Sequence, residues 1–290
     1  MGARLTEPAR LALPQVTLCC VDTRSVPLAL WAVQRCRDLV EFGEVLFMGP
    51  EPQKNAIDVP AGVRWVTCAP LKGIEDYNRI MLSELVHHVR TSHVLIMQWD
   101  GFITDPGRWR DEFLQWDYIG APWYHGGHPG LVGNGGFSLR SVKLLKALQE
   151  AHVDYRRPED MEICVHQQPL LTERWGTHIA PLALAQEFAC EYGPPRPAFG
   201  FHGMHNFAHV LDEATLSAWL AVAPEEILVH QHSRKLVKSL MASGRTKEAV
   251  RLLRLRARHT GWTRDQVVLL LRAWAHRLWP RATTDLNTKP

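Results

Sequence analysis

The sequence predicts an α/β protein, with a mostly parallel sheet covered by helices on both faces and a C-terminal helical appendage. Three observations predict it. Short apolar, β-rich runs alternate with amphipathic helical runs over the first half of the chain. Two of those runs close on an acid, Asp22 and Asp100, at strand ends where ligands gather in such sheets. From about Asp212 the strand signals stop and helical periodicity takes over.

The elements follow in order. Gln15–Asp22 is a first buried strand, and Thr23–Pro27 turns into a helix, with Ser25 as cap and Pro27 in the first turn. Leu28–Phe42 is helical and stops at Gly43. Glu44–Met48 and Val63–Thr67 are strands, Ile74–Arg90 is a helix with an apolar face, and His93–Trp99 is the clearest buried strand. Tyr118–Pro122 and Phe137–Arg140 are further strands on either side of a Gly- and His-rich loop. Ser141 caps a helix to about Glu150, and Pro158 opens another that runs to about Arg174 and stops at Gly176. His178–Ala180 is a strand tip, and Pro194–His205 is irregular and aromatic. The expected boundaries are an extension over 1–14, an α/β domain over 15–211, a basic helical tail over 212–282 and a disordered end over 283–290.

Composition narrows the class. The chain has 290 residues, 46% hydrophobic and 22% charged, so it buries a core. Its net charge of +3 is unevenly spread: thirteen Lys/Arg stand against two acids between Arg234 and Arg281, so the rest is acidic. Cysteines at 19, 20, 36, 68, 164 and 190 form no C-x-x-C pair, which fits free buried thiols and not a disulfide or zinc framework. The start of the chain carries no secretory signal and no run is long enough for a membrane span, so the expected location is the cytoplasm. Nucleic acid is not an expected partner, because no recognition motif accompanies the basic stretch.

Several segments carry candidate chemistry. Asp100, ending a buried run before Gly101, places a carboxylate on the rim for a divalent cation or a ribose hydroxyl; the bland alternative is a turn. Asp22, with Arg24 beside it, is a second rim contact. Val132–Ser141 sets Asn134, Gly135, Gly136 and Phe137 together, where glycines let backbone approach a ligand. A tight hairpin at Asn134-Gly135 is the alternative. Glu159 and Asp160 follow Pro158, either as a general base or as ordinary acids at a helix start. His202, His205 and His209, with His125 and His128, keep a mononuclear metal hydrolase in play. Trp99 and Trp123 are candidate stacking faces.

Taken together, Tyr77-Asn78, His93–Phe102, Trp116–Trp123, Val132–Ser141, Pro158-Glu159-Asp160 and Phe199–Gly203 resemble a bacterial glycosyltransferase-like domain family related to the GT-A glycosyltransferases. The resemblance spans about residues 15–207. It implies a GT-A-like fold and transfer of a sugar from a nucleotide-diphosphate donor to a hydroxyl of a glycan or lipid-linked acceptor, with inversion. It implies Mn²⁺ or Mg²⁺ held by Asp100 and His202, although the second acid of the family's Asp-x-Asp is replaced by Phe102. It implies Asp160, or its neighbour Glu159, as base, and Asn134–Phe137 at the donor–acceptor junction.

The tail lies outside the resemblance. Its arginine- and Trp-rich stretch Val250–Trp279 suits peripheral contact with the inner face of a membrane, or packing against the catalytic domain or a second subunit. Two readings compete with the transferase: the metal hydrolase, and a non-catalytic sugar- or nucleotide-binding protein.

Overall fold

The computed structural model describes residues 10–124, 130–192 and 196–278, with side chains described to residue 273. Two compact units divide between His202 and Gly203. The first runs β1 (Leu11–Val21), α1 (Val26–Leu39), β2 (Val40–Gly49), β3 (Arg64–Thr67), α2 (Ile74–Arg79), β4 (His93–Met97), β5 (Gly101–Ile103), β6 (Tyr118–Gly120), β7 (Phe137–Ser141), α3 (Val142–Glu150), α4 (Glu159–Met161), α5 (Gln168–Trp175), α6 (Leu182–Phe188), β8 (Ala189–Cys190) and β9 (Gly200–His202). A six-stranded sheet has the order β3-β2-β1-β4-β7-β6. β1 to β4 pair in parallel, and only β7 runs against its neighbours. The mostly parallel sheet is therefore present. A three-stranded sheet, β5-β9-β8, stands beside it.

The sheet is buried because its central strands are apolar throughout. Leu18, Cys19, Cys20, Leu46, Phe47, Leu95 and Met97 are fully enclosed, as strands covered on both faces must be. α1 turns Leu28, Ala29, Ala32, Val33 and Cys36 inward, and α3 turns in Leu144, Leu145 and Leu148. Each buried leucine or valine among them contributes about 1.5–3 kcal/mol.

Several boundaries differ from expectation, each for a local reason. β1 begins at Leu11 because Leu11 and Leu13 pair with Val40 and Phe42. That pairing draws Val40–Phe42 out of the helix, so α1 ends at Leu39 and Gly43 lies inside β2 against the Pro14 carbonyl. Ser25 makes no side-chain cap; Asp22 accepts the amides of Arg24 at 2.8 Å and Ser25 at 2.6 Å instead. The helix expected over 74–90 is α2 followed by a π turn over Ile80–Glu84 and a 3₁₀ turn over Leu85–His87. That expected over 158–174 is α4, a second π turn and α5, interrupted where Pro169 cannot donate to the helix ladder. Ser141 caps α3 by accepting from Leu144 N at 3.0 Å, and Gly176 ends α5 with φ 61°. The strand tip at 178–180 is a single bridge from Ile179 to Tyr118, and the segment expected to be irregular contains β9.

The second unit is helical: α7 (Phe207–Val210), α8 (Glu213–Val222), α9 (Glu225–Val229), α10 (Gln231–Ala242), α11 (Thr246–Thr260) and α12 (Arg264–Leu278). Leu236, Val237 and Leu240 of α10 and Ala249, Leu252 and Leu253 of α11 form its core. Arg256 is buried with them and donates to the carbonyls of Leu228 and His230. No helix among the described residues is long and apolar enough to cross a membrane. The end expected to be disordered, 283–290, lies outside the described residues, as do residues 1–9.

All six cysteines are free, and only Cys68 is not buried. Burial pushes the Cys19 and Cys36 thiols up to about 12. A thiol reagent at pH 8 should therefore label Cys68 first in the native protein and the other five only on unfolding, read by peptide mass mapping. Early labelling of Cys19 or Cys20 would contradict the packing of β1.

Candidate active site at the carboxyl edge of the sheet

The strand registers converge on one edge. β1 and β4 run side by side with Cys20 opposite Met97, so Asp22 and Gln98–Asp100 leave the sheet together. β7 runs against β4 with Phe137 opposite Met97, so the glycine-rich segment entering β7 arrives at that edge. β9 sets His202 opposite Gly101 and therefore beside Asp100. β8 sets Cys190 opposite Phe201, which brings Glu191 to the same histidine.

A cavity of about 270 Å³ opens there, lined among others by Asp22, Arg24, Leu71, Tyr77, Gln98 and Trp99. It is close to the lower end of small-molecule sites, about 300–1,000 Å³. Of the residues expected at the rim, Asp22, Arg24 and Trp99 share this wall. Arg24 Nη2 donates to the carbonyls of Leu71 at 3.0 Å and Lys72 at 3.2 Å, and Thr23 Oγ1 accepts from Leu71 N at 2.9 Å. These bonds pin the 71–72 wall to the end of β1. Burial pushes the Asp22 carboxyl up, and the two amides it accepts pull it back.

His202 is the hub next to the cleft. Its Nε2 lies 3.2 Å from Gln98 Oε1 and 3.4 Å from Asp100 Oδ1. Its Nδ1 lies 3.3 Å from Glu191 Oε1 and 3.0 Å from the Asn134 side-chain amide. Gln98 also donates from Nε2 to the Tyr77 hydroxyl at 3.1 Å, which ties the hub to the cleft wall. Burial opposes charge on the ring, but Asp100 and Glu191 outweigh it, and the His202 pKa is raised well above the usual imidazole value. Asp100 and His202, expected as metal ligands, do stand together. Gln98, Tyr77 and Glu191 were not expected as site residues. Glu191 has no local signal, because only the β8–β9 pairing places it.

The glycines make room for side chains. A Cβ at Gly135 would fall on the Glu159 carboxylate, one at Gly136 on the His202 ring and one at Gly133 on the Trp123 indole. Asn134, with φ 59°, is one of only two non-glycine residues at positive φ among the described residues, a conformation asparagine tolerates. The tight hairpin expected at Asn134-Gly135 is not formed: Gly120 pairs with Ser138 and Pro122 with Val132, so the chain reverses over a longer loop, and Gly136 makes room for His202. Trp123 and Phe137 do not face the cleft. Trp123 is buried under Gly133, and Phe137 is enclosed with its ring 5.4 Å from Phe188 and 6.2 Å from Phe199, because antiparallel β7 turns it into the aromatic core.

The two acids of α4 have different surroundings. Glu159 is buried with its Oε2 2.8 Å from Arg140 Nη2, and Arg140 is fully enclosed. Burial pushes the Glu159 carboxyl up and Arg140 pulls it back. Asp160 is half-buried and accepts from Gly135 N at 3.2 Å through Oδ2 and from Met161 N at 2.8 Å through Oδ1. The turn before α4 is held by Asn78, whose side-chain amide donates to the carbonyls of Tyr155 at 2.7 Å and of Arg157. Of the pair, Asp160 is the acid whose carboxylate is not committed to a cation.

The histidine series does not form one helical face. His202 ends β9, Gly203 follows with φ 94°, and His205 sits in a 3₁₀ turn. His125 and His128 lie outside the described residues. Among the described residues no group of three His, Cys, Asp or Glu side chains is arranged to hold a metal.

A family model described as a protein of unknown function (DUF5672) matches residues 62–202. No curated protein matches the chain. Among solved structures it is similar to the mannosyltransferase PcManGT from Pyrobaculum calidifontis in complex with GDP-Man and Mn²⁺, at 13% identity over 96% of this chain and 92% of that one, with a TM-score of 0.42. It is also similar to Rv0371c from Mycobacterium tuberculosis H37Rv in complex with manganese, at 13% identity over 58% of this chain and 88% of that one, TM-score 0.35. A third is the Rv0371c homolog from Mycobacterium sp. strain JC1, at 13% identity over 58% and 86%, TM-score 0.33. At such likeness, function rests on the geometry of the site.

Proposed function

We propose that this chain is a glycosyltransferase with a GT-A-like fold, moving a sugar from a nucleotide-diphosphate donor to a hydroxyl of a glycan or lipid-linked acceptor. The observation that carries the reading is the hydrogen-bonded path from the cleft through Gln98 to the Asp100–His202 pair, with Asp160 held by Gly135, next to the Asn134 that contacts the same histidine. Tyr77 and Trp99 offer aromatic faces in the cleft for a base or sugar ring.

Asp100 and the neutral form of His202 fit a divalent cation, which would replace the proton that Asp100 and Glu191 favour on the ring. Mg²⁺-type sites take one or two protein ligands and complete their shell with substrate phosphates and water, so two protein ligands suffice. Glu191 at Nδ1 is the outer carboxylate that orients a metal-binding imidazole. Mn²⁺ or Mg²⁺ bound there would neutralise charge on the departing diphosphate. In transfer, the acceptor oxygen forms a bond to the anomeric carbon as the bond to the diphosphate breaks. Its proton passes to Asp160. The single displacement inverts the anomeric centre.

Thermal unfolding against a panel of nucleoside diphosphates and their sugars tests the reading. One nucleotide class with Mn²⁺ should raise Tm by about 5–10 °C at a hundredfold excess over Kd, and Asp100→Ala should remove most of that gain. No shift with any nucleotide, with or without Mn²⁺, overturns the proposal.

A further inference from the structure

α12 wears its apolar residues outward. Val267 and Val268 are 39% exposed and Leu271 is 65% exposed, while Gln266, Leu269 and Ala273 are buried. At 3.6 residues per turn, Arg264, Val267, Val268, Leu271 and Arg272 share the exposed arc, opposite the buried three. Trp262, just before the helix, is 50% exposed. The solvent face of this helix is therefore an apolar stripe flanked by two arginines.

The charge of the segment that carries this helix is predominantly basic. Of the two acids between Arg234 and Arg281, Asp265 accepts two bonds from Arg234 at 2.6 Å and Glu248 pairs with Arg245 at 2.7 Å. Both are neutralised inside the unit. Arg254 and Arg258 of α11 and Arg264 and Arg272 of α12 are exposed.

We infer that the outer face of α12 docks on an anionic lipid surface, lying in the plane of the interface with Val267, Val268, Leu271 and Trp262 among the acyl chains and Arg264 and Arg272 among the headgroups. An apolar stripe with basic flanks is the chemistry of interfacial helices. Nucleic acid offers the charge but no partner for the apolar centre of the face. A second copy packed face to face would bring like arginines together, since such contacts are self-complementary.

Flotation of the full chain with phosphatidylcholine vesicles, with and without phosphatidylglycerol, tests this. The chain should float only with the anionic vesicles. Arg264→Gln/Arg272→Gln should lower partition about 30-fold, and Val268→Gln/Leu271→Gln by about tenfold or more. All four positions are exposed, so Tm and nucleotide-induced stabilisation should not change in either variant, which separates this surface from the cleft. The inference is overturned if the native chain binds neither vesicle or both equally, or if Val268→Gln/Leu271→Gln floats like the native chain. It is also overturned if that variant converts a dimer to a monomer, or if an oligonucleotide binds both forms equally while vesicles bind neither.

Discussion

Asp160→Asn should lower sugar transfer by about 10²–10⁴-fold, the usual worth of a positioned general base, while leaving donor affinity unchanged and lowering Tm by only about 2–6 °C for the one backbone bond it gives up. The substitution is nearly isosteric. One side-chain oxygen remains to accept from Gly135 N or Met161 N, the two bonds that now fix the carboxylate. What is lost is the negative charge and the ability to take a proton. Glu159 cannot replace it, because it is buried and committed to Arg140. Steady-state kinetics with acceptor varied, beside donor titration by calorimetry, separates the cases. A fall in kcat with unchanged donor Kd supports the base. Parallel loss of donor affinity would make Asp160 a donor contact, and an unchanged rate would remove it from the chemistry.

The fold was legible where one local rule decided it. Alternating apolar runs marked β1, β2 and β4, and Ser141 and Gly176 marked helix ends, because burial, capping and positive φ act within a few residues. The end of α1 was not legible, since Val40 and Phe42 became strand through pairing with Leu11 and Leu13, a contact across the chain. The site divides in the same way. Asp22, Asp100 and His202 were visible as polar residues at the ends of apolar or aromatic runs. The grouping of Glu191, Gln98 and Tyr77 around them depends on strand register, which sequence alone does not state. Gly135 and Gly136 also make room for Glu159 and His202, side chains that come from elsewhere in the chain and that no local pattern names.

Arg140→Met should cost about 3–5 kcal/mol of stability, because it leaves a buried carboxylate without its partner, and should lower Tm by about 6–20 °C. Arg140 is fully enclosed, donates from Nε to Ser138 Oγ at 3.1 Å and lies 5.3 Å from the centre of the Tyr118 ring. The loss should depend on pH in a fixed direction. Burial already raises the folded-state pKa of Glu159 above its ordinary 4.5, against the pull of Arg140. A carboxyl raised on folding contributes stability fully below its unfolded value and loses it as pH rises through the folded one. Removing Arg140 raises that folded value further, so the deficit of the variant should be small near pH 4.5 and grow toward neutrality. Arg140→Met/Glu159→Met should recover most of the stability, since apolar replacement of a buried pair is often neutral or better. A deficit that is the same at all pH values, or a double variant no more stable than the single one, would show that the charge on Glu159 is not its cause. In the folded double variant, kcat then reports on the pair itself. Lowered kcat at unchanged KM would mean that Arg140 and Glu159 position the Gly135 amide against Asp160, whereas full activity would confine them to the stability of the sheet edge.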